Sequence, residues 1–177
     1  MKLKTITPRI RQFSGPAILL LGLLLMQTTG CQSVPEGSPV MKQQALSFTP
    51  PAGKAYVYVV RPSRFEGHAV LFGVSLDYQA FGMLENSSYI FAAVPPGEHA
   101  LRGSSSTPSV LGGGGVGRLE SFTAEAGKSY FFTVNPPGWT GGLRFEQISE
   151  ADGKGYVQKL KLSGDNRFEY QNKTSQP

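Results

Sequence analysis

Between residues 55 and 148 the chain repeatedly assembles a short run of aromatic and β-branched residues and then breaks it with Pro, Gly, Asn or Asp. Ala55-Tyr56-Val57-Tyr58-Val59-Val60 is the first such run, closed by Arg61-Pro62. Proline cannot donate to a β-ladder, so the strand stops there. Both faces of this run are apolar, which marks a central strand buried on two sides. In the next run Val70, Phe72, Val74 and Leu76 alternate with Leu71, Gly73, Ser75 and Asp77. A period of two belongs to a half-buried strand. Asp77-Tyr78-Gln79 turns the chain back into Ala80–Leu84, and Glu85-Asn86-Ser87 turns it into Ser88–Val94. Pro95-Pro96-Gly97 is a turn because proline presets φ and glycine accepts positive φ. Glu98–Leu101, Leu119–Ala124, Ser129–Val134 and Leu143–Ile148 continue the series. Runs this short, separated by turn chemistry, leave little room for helices and suit a two-sheet sandwich.

The expected fold is therefore all-β, an immunoglobulin-like or transthyretin-like sandwich of about seven strands. Glu150–Leu162 reads as a short C-terminal helical turn followed by strand-like Lys159–Leu162, with Gly153 and Gly155 keeping any helix short. Gly103–Gly117, with its four consecutive glycines, and Asn135–Gly142, which carries Trp139, read as loops.

Ahead of the β segments stands an entirely different composition. Residues 1–16 hold Lys2, Lys4, Arg9 and Arg11 and no acid, followed by the apolar run Ala17–Met26. That run is too short to cross a bilayer core, which takes about 20 helical residues. Basic residues, a short apolar core and small residues before a cut site make an export signal. The small residues are Thr28-Thr29-Gly30, and directly after them comes Cys31, the only cysteine in the chain. Residues 1–31 resemble the signal of a bacterial lipoprotein, with Thr28 where the lipobox usually has Leu. The resemblance implies removal of residues 1–30 and lipid attachment at Cys31. A plain signal peptide followed by an unpaired cysteine, or an uncleaved anchor, is the other reading of the same residues. Gln32 and Ser33 are not an Asp-type retention signal, so the resemblance further implies an outer-membrane protein facing the periplasm. Residues 31–52, with Pro35, Pro39, Pro50 and Pro51, read as a flexible tether, 53–163 as the β domain, and 164–177 as a polar tail.

Loss of residues 1–30 would leave 13 Lys and Arg against 12 Asp and Glu. A nearly neutral chain lacks the basic stripe of a nucleic-acid binder. With Cys31 lipidated, neither disulfides nor thiolate metal sites remain, and His68 and His99 do not stand at a metal-ligand spacing, so no cofactor or metal is expected. No serine lies in a Gly-x-Ser-x-Gly elbow, and Gly112–Gly115 lacks the Lys and the helix of a phosphate loop. The most suggestive group is Arg61-Pro62-Ser63-Arg64-Phe65, which would set two guanidinium forks and an aromatic ring at one end of the sandwich. The plainer reading has Arg61 paired to Glu98 or Asp77 and Phe65 plugging the core. Trp139 is the other candidate contact, tryptophan being enriched at interfaces.

Three motifs occur in a fixed order. Gly53-Lys54-Ala55 leads into Tyr58-Val59-Val60-Arg61-Pro62-Ser63-Arg64-Phe65. Ser88-Tyr89 is followed by Val94-Pro95-Pro96-Gly97-Glu98-His99, and Glu125-Ala126-Gly127-Lys128-Ser129-Tyr130-Phe131 comes last. On these motifs, residues 53–162 resemble the DUF2846 family of bacterial lipoproteins, and the logic of turns and strands is similar to PEGA-type and transthyretin-like accessory domains. The resemblance implies a β-sandwich and an envelope address and names no activity. The expected role is a non-catalytic binding module, held to the membrane by lipid at Cys31 and contacting an envelope protein or peptidoglycan. A cell-wall or glycan hydrolase using loop carboxylates is the first alternative. A structural protein offering a sheet edge to a partner strand is the second.

Overall fold

The computed structural model describes residues 33–65, 68–105, 117–135 and 142–166. Its strands are β1 (Ala55–Arg61), β2 (Phe72–Leu76), β3 (Gln79–Leu84), β4 (Ser88–Val94), β5 (Gly97–Ser105), β6 (Glu120–Ala124), β7 (Ser129–Asn135), β8 (Arg144–Ile148) and β9 (Lys161–Leu162). They form two sheets, one ordered β8-β7-β1-β4-β9 and the other β3-β2-β5-β6. The chain is thus an all-β sandwich, with nine strands among the described residues against the seven or so expected. Every run read as a strand contains one, though of Lys159–Leu162 only Lys161–Leu162 is strand and Lys159 ends a helix. The smaller sheet is antiparallel throughout. In the larger, β1 pairs antiparallel to β4 but parallel to β7, and β4 runs parallel to β9.

Side-chain parity along β1 explains the layering. Ala55, Val57 and Val59 face the smaller sheet and join Phe72, Leu76, Phe81, Ile90, Leu101 and Phe132 in the inter-sheet core. Tyr56, Tyr58 and Val60 face the other way, into a second buried cluster with Tyr89, Phe91 and Phe131. All seven residues of β1 are buried, as the two-sided apolar run predicts.

What covers the second face is a pair of helices. Helix α1 spans Pro39–Ser47 and α2 spans Glu150–Lys159. Ser38 caps α1, accepting from Met41 N at 3.2 Å, and Pro39 sits in the first turn, where no amide hydrogen is needed. Ala45 is fully buried against the sheet, and its carbonyl accepts the Tyr58 hydroxyl at 2.8 Å. Tyr58 stacks on Phe131 at 4.7 Å and on Phe91 at 5.6 Å between centroids, and Phe48 at the end of α1 tilts onto Tyr58 at 5.9 Å. The segment expected as a tether is therefore folded from Val34 onward. Val34 is buried, Gly37 N donates to Leu162 O (2.9 Å), and Gly164 N donates to Pro35 O (2.6 Å). Helix α2 matches the expected C-terminal helix, and Gly153 is what lets it close. A methyl group at that position would be driven into the Phe131 ring.

Candidate functional site

One end of the sandwich gathers the residues singled out in the sequence. There β1 stops at Arg61, β4 starts at Ser88, β7 stops at Asn135 and β8 starts at Arg144, while β2 starts at Phe72 and β3 stops at Leu84. Arg61 ties the two sheets together at this end. It continues the Ala55-Val57-Val59 parity, so its side chain enters the inter-sheet core rather than the solvent, and it is 3% exposed. Its Nη1 donates to Val70 O at 2.6 Å and to Leu84 O at 2.9 Å, and the guanidinium lies 3.6 Å over the Phe72 ring. Burial lowers its pKa to about 10, a shift that nearby Glu85 opposes. The expected partners Asp77 and Glu98 belong to the opposite end of the strands, so Arg61 is satisfied by carbonyls instead. It braces the core and presents no fork to a partner.

Arg64 and Phe65 face outward. Arg64 N donates to Asn86 Oδ1 and Arg64 Nη2 to Asn135 Oδ1, each at 3.0 Å, which fastens the loop both to the β3–β4 turn and to the end of β7. Phe65 is 91% exposed, which rules out its role as a core plug. Its ring stacks on His68, with centroids 5.9 Å apart, and His68 Nδ1 lies 3.0 Å from Phe65 O, donating to it. The result is an exposed aromatic on a braced loop. Trp139 and Cys31 lie outside the described residues.

The N-terminal segment leaves from this same end. Lys161 Nζ is bonded to both Val34 O (3.1 Å) and Glu85 Oε1 (2.6 Å), and Glu85 adjoins Asn86, which holds Arg64. Sequence reading missed this link. The signal that could have exposed it was Pro35-Glu36-Gly37, a turn-like triplet set before the Ser38-Pro39 cap.

The far end holds the other polar constellation. Asp77 and Tyr78 both have positive φ, 51° and 63°, as the two central residues of a type I′ hairpin turn must. Neither is glycine, and hydrogen bonds hold the turn. Asp77 Oδ1 accepts from Ala100 N at 2.9 Å, and Oδ2 lies 2.6 Å from His99 Nδ1. His99 Nε2 contacts Pro95 O at 2.8 Å. Both ring nitrogens are thus engaged, leaving none to act on a substrate. Tyr78, 75% exposed, and Glu98 line the adjoining shallow depression of about 420 Å³. Another depression of about 430 Å³ lies on the outer face of the smaller sheet, lined mainly by small residues such as Gly73, Ser75, Ala80 and Ser104. Among the described residues no cluster of three or more His, Cys, Asp or Glu side chains is placed to hold a metal ion.

Comparison with known proteins supplies a family rather than an activity. A Haemophilus influenzae protein described as uncharacterized is 28% identical over 158 residues, which cover 85% of this chain and 84% of that protein. The pattern described as a protein of unknown function, DUF2846, matches residues 51–137, from the approach to β1 to just past β7. Residues 51–137 of this chain, carrying all three motifs in order on the strands and turns expected of them, match the DUF2846 family.

Proposed function

We propose that this chain is a lipid-anchored envelope protein, attached through Cys31 to the outer membrane and facing the periplasm, whose β domain is a non-catalytic interaction module. Its contact surface is the end of the sandwich that carries Arg64 and Phe65. The observation that carries this reading is Phe65 itself. A phenyl ring left 91% exposed on a loop held by two side-chain amides is a large apolar contact kept at low conformational cost. In sequence Cys31 stands three residues before Val34, whose carbonyl is held by Lys161.

The polar groups support a binding role over a hydrolytic one. Both oxygens of Asp77 and one of Glu85 are engaged by partners within the domain, so these carboxylates brace turns. Glycoside hydrolysis instead requires two free carboxyl groups facing one bond.

Two experiments test the reading. In cells fed a fatty-acid analogue, the wild-type protein is expected to take up label and Cys31→Ala to take up none; equal labelling of both removes the anchor. Affinity capture from envelope extract is expected to retain a specific component with the wild-type protein and to lose it with Phe65→Ser. Retention undiminished by Phe65→Ser moves the contact surface elsewhere.

A further inference from the structure

We infer that the Arg64–Phe65 end of the sandwich is seated on the bilayer itself, with Phe65 entering the headgroup layer. The domain would then stand end-on at the membrane instead of swinging on a leash. This rests on the anchored reading and makes the bilayer the occupant of the Phe65 surface, so capture of a specific envelope protein or peptidoglycan fragment that Phe65→Ser abolishes counts against it.

Covalent reach limits how far the domain can stand from the lipid. The lipidated residue is Cys31 and the first buried residue is Val34. Three residues span at most roughly 11 Å when fully extended. From Val34 onward the chain is committed to the fold. Val34 O is held by Lys161, Pro35 O accepts from Gly164 N, and Gly37 N donates to Leu162 O. The slack between lipid and body is therefore of the same order as one headgroup layer, about 5–8 Å. Whichever part of the domain surrounds Val34 is forced against the surface.

That part is the Phe65 end. Lys161 bridges Val34 to Glu85, the next residue Asn86 binds Arg64, and Phe65 follows. Val34 and the exposed ring are thus linked through three hydrogen bonds and two steps along the chain. An aromatic ring with a polar neighbour suits the membrane–water boundary, where Trp and Tyr also collect. The exposed cations Arg64 and Arg144 stand at this end too, Arg144 opposite Asn135 in the β7–β8 register. In sequence the loop also carries Glu66, so the excess of positive charge is small. The seat depends on the leash and on the ring, and a zwitterionic bilayer satisfies it.

The opposite end supplies an internal control. Tyr78 is likewise exposed, but it sits on the β2–β3 turn, a full strand length away. The test couples the chain from residue 31 onward through the Cys31 thiol to a maleimide phospholipid in phosphatidylcholine vesicles. Coupling this way fixes the anchor chemically, so the result does not depend on whether cells lipidate Cys31; fatty-acid labelling decides that separately. In a Trp139→Phe background, single tryptophans are placed by Phe65→Trp or by Tyr78→Trp, both at positions open enough to leave the fold intact. Brominated acyl chains quench indoles that reach the boundary. The Phe65→Trp protein is expected to lose roughly half of its emission and shift to the blue, in keeping with an interfacial depth of about 5–10 Å. The Tyr78→Trp protein is expected to keep its emission. Neither result should change appreciably with added salt. Equal quenching of the two, quenching of Tyr78→Trp alone, or quenching of neither overturns the proposal.

Discussion

Two buried tyrosines on the same sheet face differ by one hydrogen bond. Tyr58 donates to Ala45 O, whereas the Tyr89 hydroxyl has no partner among the described residues. An unpaired buried hydroxyl costs free energy that a hydrogen-bonded one recovers. Tyr58→Phe should therefore lower stability by about 1–2 kcal/mol in urea unfolding, while Tyr89→Phe should leave it unchanged or raise it slightly. The same burial sets an alkaline limit. Desolvation, more than the neighbouring Glu36, pushes the Tyr89 pKa up to about 12, and burial raises that of Tyr58 as well. A phenol raised in the folded state releases its proton first when unfolded, near 10. Its contribution to stability is therefore complete below pH 10 and disappears as pH climbs to 12. Arg61, lowered to about 10, acts in the opposite direction over the same range. The difference between wild type and Tyr89→Phe isolates the phenol: between pH 10 and 12 the wild-type urea midpoint should fall more steeply. Parallel curves would contradict the assignment. Arg61 itself was half legible. Arg-Pro correctly ended the strand and suggested an exposed fork. Counting parity from Ala55 instead turns the side chain inward, where the strand end alone gives no hint of the Val70 and Leu84 carbonyls. Arg61→Ala strands those carbonyls and empties the space over Phe72, so a loss of about 2–4 kcal/mol is expected in the same assay.

At the scale of elements, the two glycines of α2 make opposite demands. In sequence they look alike, and both argue for a short helix. In the fold a Cβ at Gly153 collides with Phe131, while one at Gly155 meets nothing within 4 Å. Gly155→Ala should thus stabilise by about 0.5–1 kcal/mol through helix propensity. Gly153→Ala gains the same propensity but must push α2 off the sheet, for a net loss of about 1–3 kcal/mol. Equal effects in thermal or urea unfolding would mean that α2 does not pack as described. Helix α1 was the element least legible in sequence. Pro-Val-Met-Lys-Gln-Gln-Ala-Leu-Ser has no strong apolar stripe, and only Ala45 is fully buried. Its fold is dictated from the other side: Tyr56, Tyr58, Phe91 and Phe131 form an aromatic face that needs covering. The two-sided apolar run of β1 announced that face without saying what would cover it. Ser38→Ala, which removes the cap on Met41 N, should cost about 1 kcal/mol.

Across the whole molecule, strands and turns were read from local chemistry with little error, because alternation and Pro/Gly punctuation are local signals. Pairing partners were not. The parallel β1–β7 and β4–β9 ladders join segments distant in sequence, and no local period encodes them. The candidate contact end was legible as residues and not as geometry. Arg64 and Phe65 do lie together outside, Arg61 does not, and the arrival of residues 34–37 at that end depended on β9. The largest difference concerns the residues ahead of β1. Proline and small polar residues suggested some twenty residues of free chain. The fold instead fastens residues 34–48 to β9 and to the aromatic face. Amide hydrogen exchange resolved by residue measures this directly on the chain from residue 31 onward. Gly37 N–H, bonded to Leu162 O, and the amides of the later turns of α1 should be protected to a degree comparable with Ser163 N–H, bonded to Tyr89 O. Exchange of residues 34–48 at the rate of unstructured chain, with β9 still protected, would contradict the account.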